Sequence, residues 1–438
     1  MEFLGQIIFI SILSFFGYLI YKRVKTINQN INLGKDLKLT PHPDRWKNLI
    51  LIAFGQKKMF KKPFPAVMHL FIYVGFILIN VEVLEIILDG ILGQHRIFAP
   101  LLGDFYGFLI SFFEILAFLV LFSCVVFLIR RNVINVPRFK KPEMKGWPAM
   151  DGNLILVVEV VLMIAILSMN ATDLVLQDRG DGHYPITGDF LISGFMKPMY
   201  LSFSDNTLIV IERSAWWFHI VGIFGFAFYV TYSKHLHIFM AFPNTYFGRI
   251  QPKGEMHNMP EITNEVKSML ELPIDESVAE PNEEDTFGAK DVTDLSWKNI
   301  MDAYSCTECG RCTAECPANL TGKKLSPRKI MMDIRDRAEE LGSIIKKGGK
   351  IEDSKKTLLG DYISHEEINA CTNCNACVEA CPVSINPLDI ILQTRRYVAM
   401  EASGSPSSWN AMFNNIETNL APWKFSAQDR FKWAEDVQ

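Results

Sequence analysis

The sequence predicts an all-α protein, a five-helix transmembrane bundle followed by a smaller α-helical soluble domain. Three observations predict it. Five stretches stay apolar for the length needed to cross a bilayer, positive charge alternates between the loops joining them, and eight of the nine cysteines fall in two short runs after residue 233. With 438 residues, 49% of them hydrophobic, the chain exceeds one ordinary domain. A net charge of −4 gives no reason to expect a nucleic-acid partner.

A spanning helix takes about 20 residues at about 1.5 Å rise each. Residues 3–21, 65–88, 105–129, 154–174 and 209–232 meet that length. The first opens on the acidic Glu2 and lacks a clear cleavage site, so it reads as a retained helix rather than a leader. The loop after the first span carries eleven Lys and Arg from Lys22 to Lys62, and the loop after the third carries six from Arg130 to Lys145. The intervening loops hold Arg96 in one case, and Arg179 and Lys197 in the other. This asymmetry places the N-terminus outside and everything after Tyr232 in the cytoplasm. Glu82, Glu85, Glu114 and Glu159 fall within the spans, where charge is costly. They read either as a proton supply for a quinone or as hydrogen-bonded, interface-reaching carboxylates.

Histidines mark both ends of the bundle. His69 lies near the cytoplasmic end of the second span, His219 lies in the fifth, and His235 and His237 follow it. Haem b takes one axial imidazole from each side, commonly from two facing helices. His219 and His237 stand 18 residues apart. On one continuous helix that is five turns, so the two share a face while His235 points about 160° away. An inner haem between His69 and His237 is expected, with His235 in reserve if the helix breaks near Lys234. For His219 the nearest outer histidine is His95, so the reading allows a second, outer haem between them, one or two haems in all. The competing reading of each histidine is an interfacial side chain with ordinary hydrogen bonds.

This pattern resembles the gamma subunit of respiratory nitrate reductase and the membrane subunit of methanogen heterodisulfide reductase, over roughly residues 1–240. The resemblance implies five transmembrane helices with the N-terminus outside and haem ligands on the second and fifth helices, matching His69, His219 and His237. It departs at Ile79 and Asn80, where the nitrate reductase pattern would place a second histidine.

Residues 241–296 read as an acidic linker. Beyond it stand Cys306-x2-Cys309-x2-Cys312-x3-Cys316-Pro317 and Cys371-x2-Cys374-x2-Cys377-x3-Cys381-Pro382. Three thiolates two residues apart wrap one face of a [4Fe–4S] cubane, and the fourth, followed by a proline that turns the chain away, ligates the other cluster. Cys306, Cys309, Cys312 and Cys381 should therefore hold one cluster, and Cys371, Cys374, Cys377 and Cys316 the second. Zinc is the competing reading, but it takes paired CxxC motifs rather than this run. Disulfides do not suit cysteines so close together. Helices are expected over 330–345 and 387–400. A helical ferredoxin-like domain is placed at 297–400, and roughly residues 295–400 resemble the helical ferredoxin domains of heterodisulfide reductase C-type subunits and succinate dehydrogenase iron–sulfur subunits. The tail, 401–438, is expected to dock on a partner or to pack on its own domain. Cys124 reads as a small core residue.

No GxGxxG follows a strand, and no two cysteines are adjacent, so neither a dinucleotide fold nor a CCG module is expected. The whole chain looks like a fused haem-b and iron–sulfur subunit of the heterodisulfide-reductase-like membrane oxidoreductases, similar to electron-transferring-flavoprotein:menaquinone oxidoreductases. That resemblance implies a place in a bacterial cytoplasmic membrane and a soluble subunit bearing a CCG domain. It also implies a donor such as electron-transferring flavoprotein and menaquinone as acceptor. The alternatives are an anchor and conduit whose chemistry lies on other chains, and a redox-sensing iron–sulfur protein.

Overall fold

The computed structural model describes residues 2–437 except 135, 253, 279–285, 425, 430 and 436. Five helices are long and apolar enough to cross a membrane: α1 (Glu2–Ile31), α2 (Pro63–Leu92), α3 (Asp104–Asn132), α4 (Trp147–Asp178) and α5 (Asp205–Val230). Each is longer than its apolar run, because at about 1.5 Å per residue 26–32 residues exceed a bilayer's hydrocarbon core of about 30 Å and the ends project. Local chemistry sets several boundaries. Pro63 opens α2, Gly93 closes it at φ 68°, and the Ser204 side chain accepts from the Thr207 amide at the start of α5.

The bundle packs α2 against α3, α3 against α4, and α4 against α5, with α1 laid on the α2 and α5 side. Gly75 lets α2 and α3 close up, since a Cβ there would stand 2.5 Å from Val120 Cγ2. Phe9 carries α1 deep into the bundle core, against Trp216, Phe224 and Gly90. Phe76, Leu84, Phe108, Phe118 and Phe122 face outward, as a lipid-facing belt requires.

The fifth helix does not run on to His237. It stops at Val230, a 3₁₀ turn covers Lys234–Leu236, and a new helix, α6 (His237–Tyr246), begins. The buried Asp151 of α4 causes the stop. It accepts from Tyr229 Oη, from Ser233 Oγ at 2.7 Å and from the Lys234 amide at 3.2 Å, drawing the chain out of helical register. The five-turn argument linking His219 to His237 therefore fails, because it assumes one helix.

The soluble part is built on α7 (Trp297–Tyr304), α8 (Pro327–Lys346) and α9 (Pro387–Met400). Ile300, Ala303, Ile330, Ile334, Leu341 and Ile390 form its core. Among the described residues there is no strand, only two isolated bridges. The last turns of α1 enter this core through Ile27 and Ile31. Arg23 grips Glu339 of α8 through two bonds of 2.9 and 2.7 Å, and Asn30 Nδ2 donates to Tyr304 Oη at 2.9 Å. α6 adds a second tie, with the fully buried Asn244 bonded to the Val383 carbonyl and to Lys298 Nζ. Residues 279–285 of the acidic stretch lie outside the described residues. In the tail, α10 (Ser407–Asn419) buries none of its residues; Trp409, Met412, Phe413 and Ile416 are exposed along it.

Candidate iron–sulfur and haem sites

Each cysteine run folds the same way. The chain turns tightly between the first three cysteines through left-handed residues, Glu308 (φ 53°) and Gly310 (φ 69°) in the first run, Asn373 (φ 56°) and Asn375 (φ 60°) in the second. These turns aim backbone amides at sulfur. Glu308 N lies 3.4 Å from Cys306 Sγ, and Asn373 N lies 3.5 Å from Cys371 Sγ. A short helix then carries the third cysteine away, and Pro317 and Pro382 turn the chain after the fourth.

The fold gathers the thiols across the two runs. Cys306, Cys309, Cys312 and Cys381 line one cavity, with Arg311 and Met331 on its wall. In the second group Cys377 has Cys371, Cys316 and Cys374 as its neighbouring thiols. All are free thiols. Among the described residues, no three Cys, His, Asp or Glu side chains are gathered to hold a single metal ion. Burial pushes the Cys306 and Cys377 thiols up to about 12 and Cys381 up to about 11. Without iron these groups are neutral at pH 7, so iron must displace their protons. Each quartet has two buried thiols, Cys306 and Cys381 in one and Cys316 and Cys377 in the other, but only the second includes an exposed one, Cys374.

Where α2 meets the turn after α5, three imidazoles collect. The His69 and His237 ring centroids are 6.5 Å apart with planes inclined at 39°, and His235 touches His237 edge-on at 5.3 Å. Two imidazoles binding one metal from opposite sides, each through a nitrogen about 2 Å away, would have ring centres about 6 Å apart. His237 Nδ1 donates to the Lys234 carbonyl at 3.1 Å, which leaves Nε2 free to ligate. His69 Nδ1 is buried without a partner. The pair fits a bis-imidazole haem ligand set.

His219 also presents a bare nitrogen. Its Nδ1 donates to the Leu162 carbonyl at 2.9 Å, and its buried Nε2 has no partner. His95 does not stand opposite it. Its ring contacts are with His183 and Tyr184, and its Nε2 lies 3.5 Å from Asp173. Asn80 faces outward from the bundle, while Ile79 is buried within it.

The far end of the bundle holds a buried polar network. Arg96 binds Asp173 at 2.5 Å, Asn170 at 3.0 Å and Tyr106 at 3.1 Å; Tyr106 donates to Glu85, and Asn170 to Glu114. Glu82 Oε1 is buried there without a partner. Glu159 is half-buried and Cys124 fully buried.

Sequence reasoning missed one constellation. Glu308, inside the first cysteine loop, is bound by Lys234 Nζ at 2.5 Å and Arg335 Nη2 at 2.8 Å. Burial alone would push the Glu308 carboxyl up, but Arg335 and Lys234 hold it below the usual range. A carboxylate where the second loop has an asparagine was the available signal.

Residues 305–385 match the 4Fe–4S dicluster domain, and this segment is thus of the type that carries two iron–sulfur clusters. Over 99% of its length the chain is 27% identical to a probable iron–sulfur-binding oxidoreductase, FadF, of Bacillus subtilis, of which it covers 61%. It is 26% identical over 88% of its length to the EtfAB:quinone oxidoreductase of Syntrophomonas wolfei, of which it covers 53%. The chain therefore spans only about half to three fifths of these relatives. The C-type subunit of the Ferredoxin:CoB-CoM heterodisulfide reductase of Methanosarcina mazei is 32% identical over 22% of the chain and 46% of its own length. No solved structure matches the chain.

Proposed function

We propose that this chain is a membrane electron-transfer subunit of a quinone-linked oxidoreductase. It would pass electrons between a redox partner on the cytoplasmic side and the quinone pool, with the cysteine domain facing the cytoplasm of a bacterial inner membrane. Cys306, Cys309, Cys312 and Cys381 hold one [4Fe–4S] cluster; Cys371, Cys374, Cys377 and Cys316 hold the other; His69 and His237 hold haem b. Bound, these groups supply one-electron carriers.

The observation that carries this reading is the close approach of His69 and His237 in a chain that also gathers four thiols around one cavity. Arg311 on that cavity's wall is a charged neighbour of His69. The chain's own residues do the rest. Thiolates and imidazoles fix position, N–H···S hydrogen bonds favour the reduced clusters, and the buried wall excludes water. Glu82, Glu85 and Glu114 are the proposed proton reserve for a quinone, which takes two electrons and two protons to become quinol. His219 is the proposed ligand of a second haem. His95 gives that second site less support, since Asp173 and His183 occupy its surroundings. The name of the Syntrophomonas wolfei relative favours a quinone as acceptor, which we take to be menaquinone, with electron-transferring flavoprotein or a soluble CCG-domain subunit as partner.

An anaerobic count of iron, acid-labile sulfide, zinc and haem on the purified chain tests this. About eight non-haem irons with one or two b haems are expected, and His69→Ala should remove one haem while leaving the eight irons. Eight irons without haem would reduce the membrane half to an anchor.

A further inference from the structure

The two cysteine loops are built alike but charged differently, and the difference points across the domain boundary. At the second position between the first two cysteines, one loop has Asn373 and the other Glu308, both in left-handed backbone. Asparagine tolerates that conformation far better than glutamate does. A buried glutamate held there needs compensation. Glu308 is 3% exposed, with Lys234 Nζ and Arg335 Nη2 on its two oxygens and its own amide aimed at Cys306 Sγ.

Lys234 faces both ways. Its ammonium holds Glu308 and the Pro148 carbonyl, each at 2.5 Å, and lies 3.8 Å from Asp151 Oδ2. Its backbone carbonyl receives the Nδ1 proton of His237. An unbroken bonded route thus runs from Cys306 through Glu308 and Lys234 to His237. Asn373 turns elsewhere. Its side chain accepts from Arg395 at 3.0 Å, inside the soluble domain, beside the exposed Cys374.

We propose that Lys234 and Glu308 are positioning residues that join the Cys306 quartet to His237. They make that quartet's cluster the carrier adjacent to the haem, and leave the Cys371 quartet to meet the soluble partner. This rests on the cofactor assignment proposed above. The ammonium and carbonyl of one residue set both ends of the last step before the membrane, so the separation of the two carriers is held by bonds rather than by domain contact alone.

Redox-poised electron paramagnetic resonance and haem spectra of the full chain, purified anaerobically in detergent, test this. Glu308→Gln removes a negative charge without changing shape. It should raise the midpoint potential of one cluster signal only, and Asn373→Asp should lower the other. Lys234→Met should lower the potential of the Glu308-sensitive cluster and also shift the haem; Lys234→Arg should restore both. The surface variant Lys324→Met, on neither loop and paired with Glu366 in solvent, should move nothing. The proposal is overturned if Glu308→Gln shifts both clusters or neither, or if Lys234→Met shifts the haem and no cluster. Should Lys234→Met lose iron, Lys234→Arg and Glu308→Gln decide alone. A wild-type chain without haem would defeat the haem assignment, whereas the opposed cluster shifts would still test the placement of Glu308.

Discussion

Arg23 offers a direct measure of how firmly the membrane half holds the iron–sulfur domain. Its guanidinium makes two bonds to Glu339, a weaker one of 3.3 Å to the Thr231 carbonyl, and stacks 4.2 Å from the Tyr232 ring centroid. The two side chains are 10% and 31% exposed, so the pair is partly screened. Hydrogen bonds between charged groups contribute about 1.5–3 kcal/mol when buried, and exposed pairs under about 1 kcal/mol. An intermediate value of about 2 kcal/mol for Arg23→Ala follows. Hydrogen–deuterium exchange of α8 amides in detergent reads this directly, because a loss of about 2 kcal/mol speeds exchange through local opening about 30-fold. Glu339→Ala should have a similar effect, and the double variant should fall well short of the sum. Strict additivity, or faster exchange in α1 with α8 unchanged, would refute the view that this pair clamps the domain.

Three further outcomes are expected. Gly342 lies where a Cβ would collide with Asn30 Oδ1, so Gly342→Val should separate α8 from α1 and expose this junction to limited proteolysis, while Gly348→Ala, in open space, should act only through its backbone. Burial pushes the Asp333 carboxyl up to about 7 despite Lys329 beside it at 2.7 Å. The folded state then binds the proton more tightly than the unfolded chain, whose value is about 4. The stabilisation is complete below pH 4 and lost as pH rises through 7, so Asp333→Asn should flatten the fall in melting temperature between pH 5 and pH 7. Finally, loading iron into the apo chain at pH 7 should release protons from Cys306, Cys377 and Cys381, measurable by pH-stat titration; absence of release would mean that those thiols are already ionised.

Much of this architecture is legible in sequence because its signals are local. An apolar run of spanning length needs no partner to be recognised, and the spacing of cysteines before a proline anticipates the gathering of Cys381 with Cys306, Cys309 and Cys312 around one cavity. The stop at Val230 is different. No Pro or Gly marks it, and its cause, Asp151, lies on another helix about 80 residues away in sequence. The extension of α1 beyond Tyr21 is hidden for a related reason. Its polar turns look like the end of a span, yet Arg23, Ile27 and Asn30 are partnered by α7 and α8. The acids of α2 and α3 could be seen as costly, but Tyr106, Asn170 and Ser193, which donate to Glu85 and Glu114, arrive from different segments. Glu308 went unremarked because a glutamate between two cysteines looks like an exposed loop residue until the backbone angle and Lys234 are seen together.

The unbroken course of α1, from Phe9 in the bundle to Ile31 in the iron–sulfur core, has a mechanical consequence. A single spar gears the redox domain to the lipid: the domain cannot nod or swivel unless that helix leans in the bilayer. Bilayer thickness and lateral pressure thereby become inputs to the domain's attitude, and its outer face takes a bearing that the surrounding lipid helps to set.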